Sequence, residues 1–114
     1  RMSDKYILSA VAGGCSLPRE DILHALSKMG KIMSRKRIHL KVAVMHHVLQ
    51  MESGEVTSSL GTCEEINPFI RNKSGVTTMS VAAIFRLMVK WGYLERLVTS
   101  NGTVYRRTAY VGSS

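Results

Sequence analysis

Acidic residues are scarce in this chain: 8 Asp and Glu stand against 16 Lys and Arg, for a formal charge of +8 and a pI near 9.9. An excess of that size invites a polyanion as partner. Cysteine occurs only at Cys15 and Cys63, far apart in a chain without secretory features, so free thiols are expected. Two prolines leave no Pro-rich linker, and no Ser-rich one divides the chain. Four Tyr, two Phe and one Trp are few platforms for stacking the bases of a single-stranded nucleic acid. No apolar run approaches the ~20 residues that cross a bilayer, and the first residues lack the apolar core of a signal peptide. An intracellular protein with no membrane association is the expectation.

Catalytic signatures are missing as well. There is no nucleotide-binding glycine loop, no nucleophile elbow and no cluster of carboxylates. His24, His39, His46 and His47 form no two-plus-two pattern with cysteine at metal spacing. No enzyme activity, metal or other cofactor is expected on these grounds, and the seven methionines at helical spacing read as core filler.

What is present is a hydrophobic fraction of 45% with 21% charged residues, ordinary for a compact domain, and a segregated charge. Residues 28–41 hold six basic residues and no acid, and residues 66–114 hold seven against Glu95 alone. The rest of the chain carries three basic residues against seven acids. Such segregation suits a phosphate-binding face, and it equally suits a solvated surface.

Ser3 caps a short helix over residues 4–12, ended by Gly13-Gly14, and a second helix spans residues 18–29 with Pro18 in its first turn and Gly30 as its stop. Ser34 caps a longer helix over residues 35–51, striped by Ile38, Val42, Met45 and Leu49. Residues 54–61 are too short and glycine-bounded for a helix and fit a brief strand or extended link. Signals then conflict: Thr62 and Glu65 have capping-box spacing, whereas Asn67-Pro68 makes a start five residues later. The expectation is a helix over residues 68–73, with at most one turn before it. Thr77 or Thr78 caps the next helix, which runs to Trp91 with Val81, Ile84, Phe85 and Met88 inward and Gly92 at its left-handed end. Asn101-Gly102 predicts a type I′ turn between strands rich in β-branched and aromatic residues, within residues 93–110. That loop pairs Ser100 with Thr103, Val98 with Tyr105 and Arg96 with Arg107.

In order, residues 35–110 read helix, short strand, helix, tight turn, helix, strand, hairpin, strand. Within that order "SGVTTMSVAAIFRLMVKWGYLER", followed by the hairpin, resembles the recognition helix and wing of the winged helix-turn-helix superfamily. The likeness lies in a glycine-containing turn, a Thr/Ser-rich start, an amphipathic helix with an R-L pair, and "GYLER" leading into a basic hairpin. It covers about two thirds of the chain and departs from the usual pattern at Pro68 and in the polar "NPFIRNKSG". The resemblance implies a mainly α fold with a small β-hairpin, a winged helix-turn-helix over residues 34–112 behind an N-terminal helical extension over residues 1–33. It implies double-stranded DNA as partner and transcription regulation as role, with the 78–91 helix in the major groove and the 96–107 wing on the backbone.

Candidate contacts follow from chemistry. The outward face of the 78–91 helix carries Met79, Ala82, Ala83, Arg86 and Lys90. Met79 suits a thymine methyl and Arg86 a guanine or a phosphate, while Thr77, Thr78 and Ser80 offer hydroxyls that also suit helix capping. Lys73 precedes the helix. On the hairpin, Arg96 opposite Arg107 sets two like charges together, a repulsion that an anion relieves and that Glu95 can also neutralise; Arg106 points to the other face, and Asn101 sits in the loop. Arg35, Lys36 and Arg37 lie at the expected start of the 35–51 helix, where free amides also bind phosphate. Competing readings are an interaction module for an acidic protein partner and, ranked last, an RNA-binding protein. A homodimer, with the first two helices contributing, is left open.

Overall fold

The computed structural model describes residues 39–70 and 72–110. The expected helices over 4–12 and 18–29, the Ser34 cap, Arg35, Lys36, Arg37, Arg71 and Cys15 lie outside the described residues. Three α-helices, two short 3₁₀ turns and a three-stranded antiparallel sheet make up this part of the chain. It is mixed α/β, and the hairpin expected from sequence is extended by one further strand.

Helix α1 spans Leu40–Gln50, and residues 35–38 of the helix expected over 35–51 lie outside the described residues. His39 is extended, and its Nδ1 accepts the Lys41 amide at 3.2 Å, which caps the helix there. Val42, Ala43, Val44, Met45 and Val48 are all buried, so α1 is the central helix, packed on both of the others. After it, Gly54 at φ +90° turns the chain back toward the sheet, a backbone conformation natural to glycine. Strand β1, Val56–Thr57, pairs there with the last hairpin strand.

Strand β1 is the brief strand expected within residues 54–61, but residues 59–61, read with it as too short and glycine-bounded for a helix, begin one. Ser58 caps helix α2, Ser59–Ile66, by accepting the Gly61 amide at 3.0 Å, and the helix passes through Gly61. Thr62 is not a cap: it is buried inside α2 and shares a 2.8 Å hydrogen bond with the Thr57 hydroxyl of β1. The expected helix over residues 68–73 is a 3₁₀ turn, Asn67–Phe69, that prolongs α2. Pro68 sits in the first positions of that turn, where a missing amide is tolerated, and the chain is extended again at Ile70. A second 3₁₀ turn, Lys73–Gly75, leads to the next helix.

Helix α3, Thr78–Lys90, matches its sequence signals at both ends. Thr77 Oγ1 accepts the Ser80 amide and Ser80 Oγ accepts the Thr77 amide, a reciprocal capping box. At the other end the Gly92 amide donates to Val89 and the Tyr93 amide to Met88, with Gly92 at φ +92°, which is a Schellman termination. Val81, Phe85 and Met88 form the buried face. They join the α1 residues, Cys63, Ile66, Ile70, Tyr93, Leu94 and Tyr105 in one core.

Strands β2, Leu94–Thr99, and β3, Gly102–Arg107, complete the sheet in the order β1-β3-β2. The register differs from the one a type I′ turn at Asn101-Gly102 gives. Thr99 pairs with Gly102, Val98 with Thr103, Arg96 with Tyr105, Glu95 with Arg106 and Leu94 with Arg107. Ser100 and Asn101 form the loop, and Gly102 at φ +118° carries the positive dihedral while Asn101 does not. Thr99 explains the shift: its hydroxyl accepts the Asn101 amide and donates to the Gly102 carbonyl, a side-chain turn that closes the loop one residue early. A slip of two residues leaves every side chain on its face and changes only its partner.

Candidate nucleic-acid interface

The register decides what each hairpin arginine does. Arg96 does not oppose Arg107, so the expected like-charge pair is absent. Arg107 lies opposite Leu94 on the core-facing side, and the residue is only 6% exposed. Its Nε donates to the Val48 carbonyl at the end of α1. Its Nη1 lies within 2.9–3.2 Å of the carbonyls of Tyr93, Thr108 and Tyr110. The guanidinium also sits 5.4 Å from the centre of the Tyr93 ring. Burial lowers its pKa from the ordinary arginine value, an effect that Tyr93 partly offsets. Arg107 is thus a structural clamp rather than a ligand contact, which corrects its assignment to the interface.

Arg106 points to the opposite face, as its position requires, and is held by Glu95 at 2.7 Å across the strands. Asn101 is exposed at the hairpin tip. Arg96 is exposed and makes no ion pair among the described residues. Because cross-strand partners share a face, Arg96 lies on the side of the sheet where Tyr105 meets Phe85 of α3, ring centres 4.7 Å apart.

On α3 the outward stripe is Met79, Ala83, Arg86 and Lys90, all exposed, with Ala82 half-buried beside it. At about 100° per residue these positions fall within one narrow arc opposite Val81, Phe85 and Met88. Met79 is 81% exposed. The helix sequence TMSVAAIFRLMVK contains no acid and no amide side chain. Lys73 is exposed in the turn before α3, and Ser80 Oγ ties that turn to the helix start by donating to the Gly75 carbonyl at 2.9 Å. Thr77 and Ser80 are occupied in the cap; Thr78 is exposed at the first helical position.

Lys73, Thr78, Met79, Arg86 and Lys90 are thus exposed on α3 or in the turn before it, and Arg96 is exposed on β2, the strand that contacts α3. Arg106 is held by Glu95 on the other sheet face, and Arg107, on the Arg96 face, is buried. Val98, which was not among the candidates, shares the Arg96 face and is 73% exposed. Period-2 alternation of the strand is the signal that places it there. Apart from Glu95 on β2, the acids among the described residues lie elsewhere in the chain, with Glu52 and Glu55 in the turn before β1 and Glu64 and Glu65 exposed on α2. Glu65 lies 3.5 Å from His47 of α1.

Among the described residues no three His, Cys, Asp or Glu side chains are placed to hold a metal ion, and no helix is long and apolar enough to cross a membrane. Comparison with protein-family models, curated proteins and solved structures finds no match to this chain.

Proposed function

We propose that this chain is a winged helix-turn-helix protein that binds double-stranded DNA sequence-specifically and regulates transcription. In this reading α3 enters the major groove and the β2–β3 hairpin lies along the phosphates as the wing. The element order α1, β1, α2, α3, β2, β3 and the β1-β3-β2 sheet support the fold reading. The observation that carries the function is the acid-free outward stripe of α3, with Arg86 and Lys90 exposed, flanked by the exposed Arg96 and Lys73. A groove about 12 Å wide accepts one helix, and cations beside it neutralise the backbone.

The test is fluorescence anisotropy with mixed duplex DNA, single-stranded DNA and RNA across a salt series. Preference for duplex, with affinity falling steeply as salt rises, supports the proposal. Absence of duplex binding at low salt overturns it. A second reading, docking to an acidic protein, draws on exposed Leu60 and Val56; it predicts weak duplex binding indifferent to sequence.

A further inference from the structure

Resting on the reading of α3 as the groove helix, we infer what it reads: a pyrimidine C5-methyl group close to a guanine on the same major-groove face. The argument is one of elimination among the side chains that reach outward. Adenine is read by Asn or Gln and the cytosine amino group by Asp or Glu, and α3 has none of these. The hydroxyls of Thr77 and Ser80 are held by the capping box and by the Gly75 and Thr77 carbonyls. A Thr or Ser hydroxyl in any case serves several bases.

Beside Thr78, exposed at the first helical position and able to offer its own methyl, three groups remain near the start and middle of the stripe. Met79 and Ala83 present apolar surface, which matches a pyrimidine methyl. Arg86 presents a guanidinium fork with no ion-pair partner among the described residues, which matches guanine O6 and N7. Met79 and Arg86 are separated by about 10 Å along the helix axis, so methyl and guanine fall within about four base pairs at ~3.4 Å per step. Met79, 81% exposed, is free to meet such a methyl. Charge complementarity selects the occupant, since the flanking Lys73, Lys90 and Arg96 are cations and the nearest acid in sequence, Glu95, is bound to Arg106.

The methyl group can belong to thymine or to 5-methylcytosine, and the experiment separates them. Duplexes selected by the protein from a randomised pool are resynthesised in three forms. One has deoxyuridine for thymidine, one has 5-methylcytosine for cytosine, and one has 7-deazaguanine for guanine. Deoxyuridine is expected to weaken binding about fourfold, the worth of one buried methyl, and 7-deazaguanine to weaken it about tenfold or more. Met79→Ala is expected to bind the thymidine and deoxyuridine forms equally, and Arg86→Ala to ignore 7-deazaguanine. If instead the loss on deoxyuridine is absent and 5-methylcytosine strengthens binding in a Met79-dependent way, the methyl source is methylated cytosine. Salt-dependent duplex binding that ignores all three changes overturns this inference and leaves the DNA-binding proposal standing. No selectable duplex overturns both.

Discussion

Helix α3 ends in two contrasting environments. Its C-terminal end runs into a buried, hydrogen-bonded cluster. There Gly92 turns the chain, Tyr93 packs its ring 5.0 Å from that of Tyr110, and Arg107 binds backbone carbonyls of four residues. Its N-terminal end opens onto water, with Met79 81% exposed, and along the same outward face Arg86 and Lys90 make no ion pair among the described residues. One arginine is used to join α1, the sheet and the chain after β3, while Arg86 and Arg96 make no such bonds. Positive charge in a sequence therefore has two physical uses, and the strand register tells them apart. A buried guanidinium spends its donors on backbone carbonyls, here as a second donor to those of Val48 and Tyr93 and as a donor to those of Thr108 and Tyr110, whereas an exposed one remains available to a phosphate or a base.

The contrast can be broken most severely at Arg107. Arg107→Ala takes a donor from four carbonyls, leaving those of Val48 and Tyr93 with one backbone donor each, and empties a buried site, so urea denaturation is expected to show a loss of about 3 kcal/mol. Arg107→Lys should recover only a small part, because an ammonium on a flexible stem lacks the planar fork. Recovery to wild-type stability contradicts the clamp. Next, Gly92→Ala forces a side chain into φ +92° and sets a Cβ 3.5 Å from the Tyr110 ring. The expected cost is about 1–2 kcal/mol, read as a lower thermal midpoint.

At the open end, Thr77→Ala removes the cap hydroxyl from the Ser80 amide and is expected to cost about 1 kcal/mol. An unchanged thermal midpoint contradicts the capping assignment. The smallest effect is at Cys63, whose buried thiol has its pKa raised chiefly by desolvation. The folded state keeps the proton while the unfolded chain releases it, so stability is full below the unfolded thiol value of ~8.5 and declines as pH rises through it. In a Cys15→Ser background the native thiol should react slowly with a disulfide reagent and rapidly once unfolded. Fast native reaction contradicts its burial.

These two ends also mark what the sequence discloses. Helix α3 is legible because its cap, apolar period and terminal glycine all agree over 13 residues. The segment before it is not. Gly61 and Pro68 suggest breaks, but α2 tolerates an internal glycine because tertiary packing of Thr62, Cys63 and Ile66 outweighs its propensity cost. Likewise the hairpin itself is evident from Asn101-Gly102, whereas its register depends on the Thr99 hydroxyl, a local competitor that strand patterns do not weigh. That shift removes Arg107 from the candidate interface. The outward stripe of α3 needs only helical period, and Met79, Ala83, Arg86 and Lys90 are exposed on it while Ala82 is half-buried at its edge.

The most direct test of the central claim compares the salt dependence of duplex binding by the wild-type chain with that of an Arg86→Ala, Lys90→Ala, Arg96→Ala variant. All three side chains are exposed, so stability should change by no more than about 0.5 kcal/mol per site. If they neutralise phosphates, the slope of log affinity against log salt falls by about 0.9 for each phosphate that is no longer neutralised. A variant that folds as the wild type and binds duplex with the same affinity and the same slope contradicts the assignment of this face to DNA.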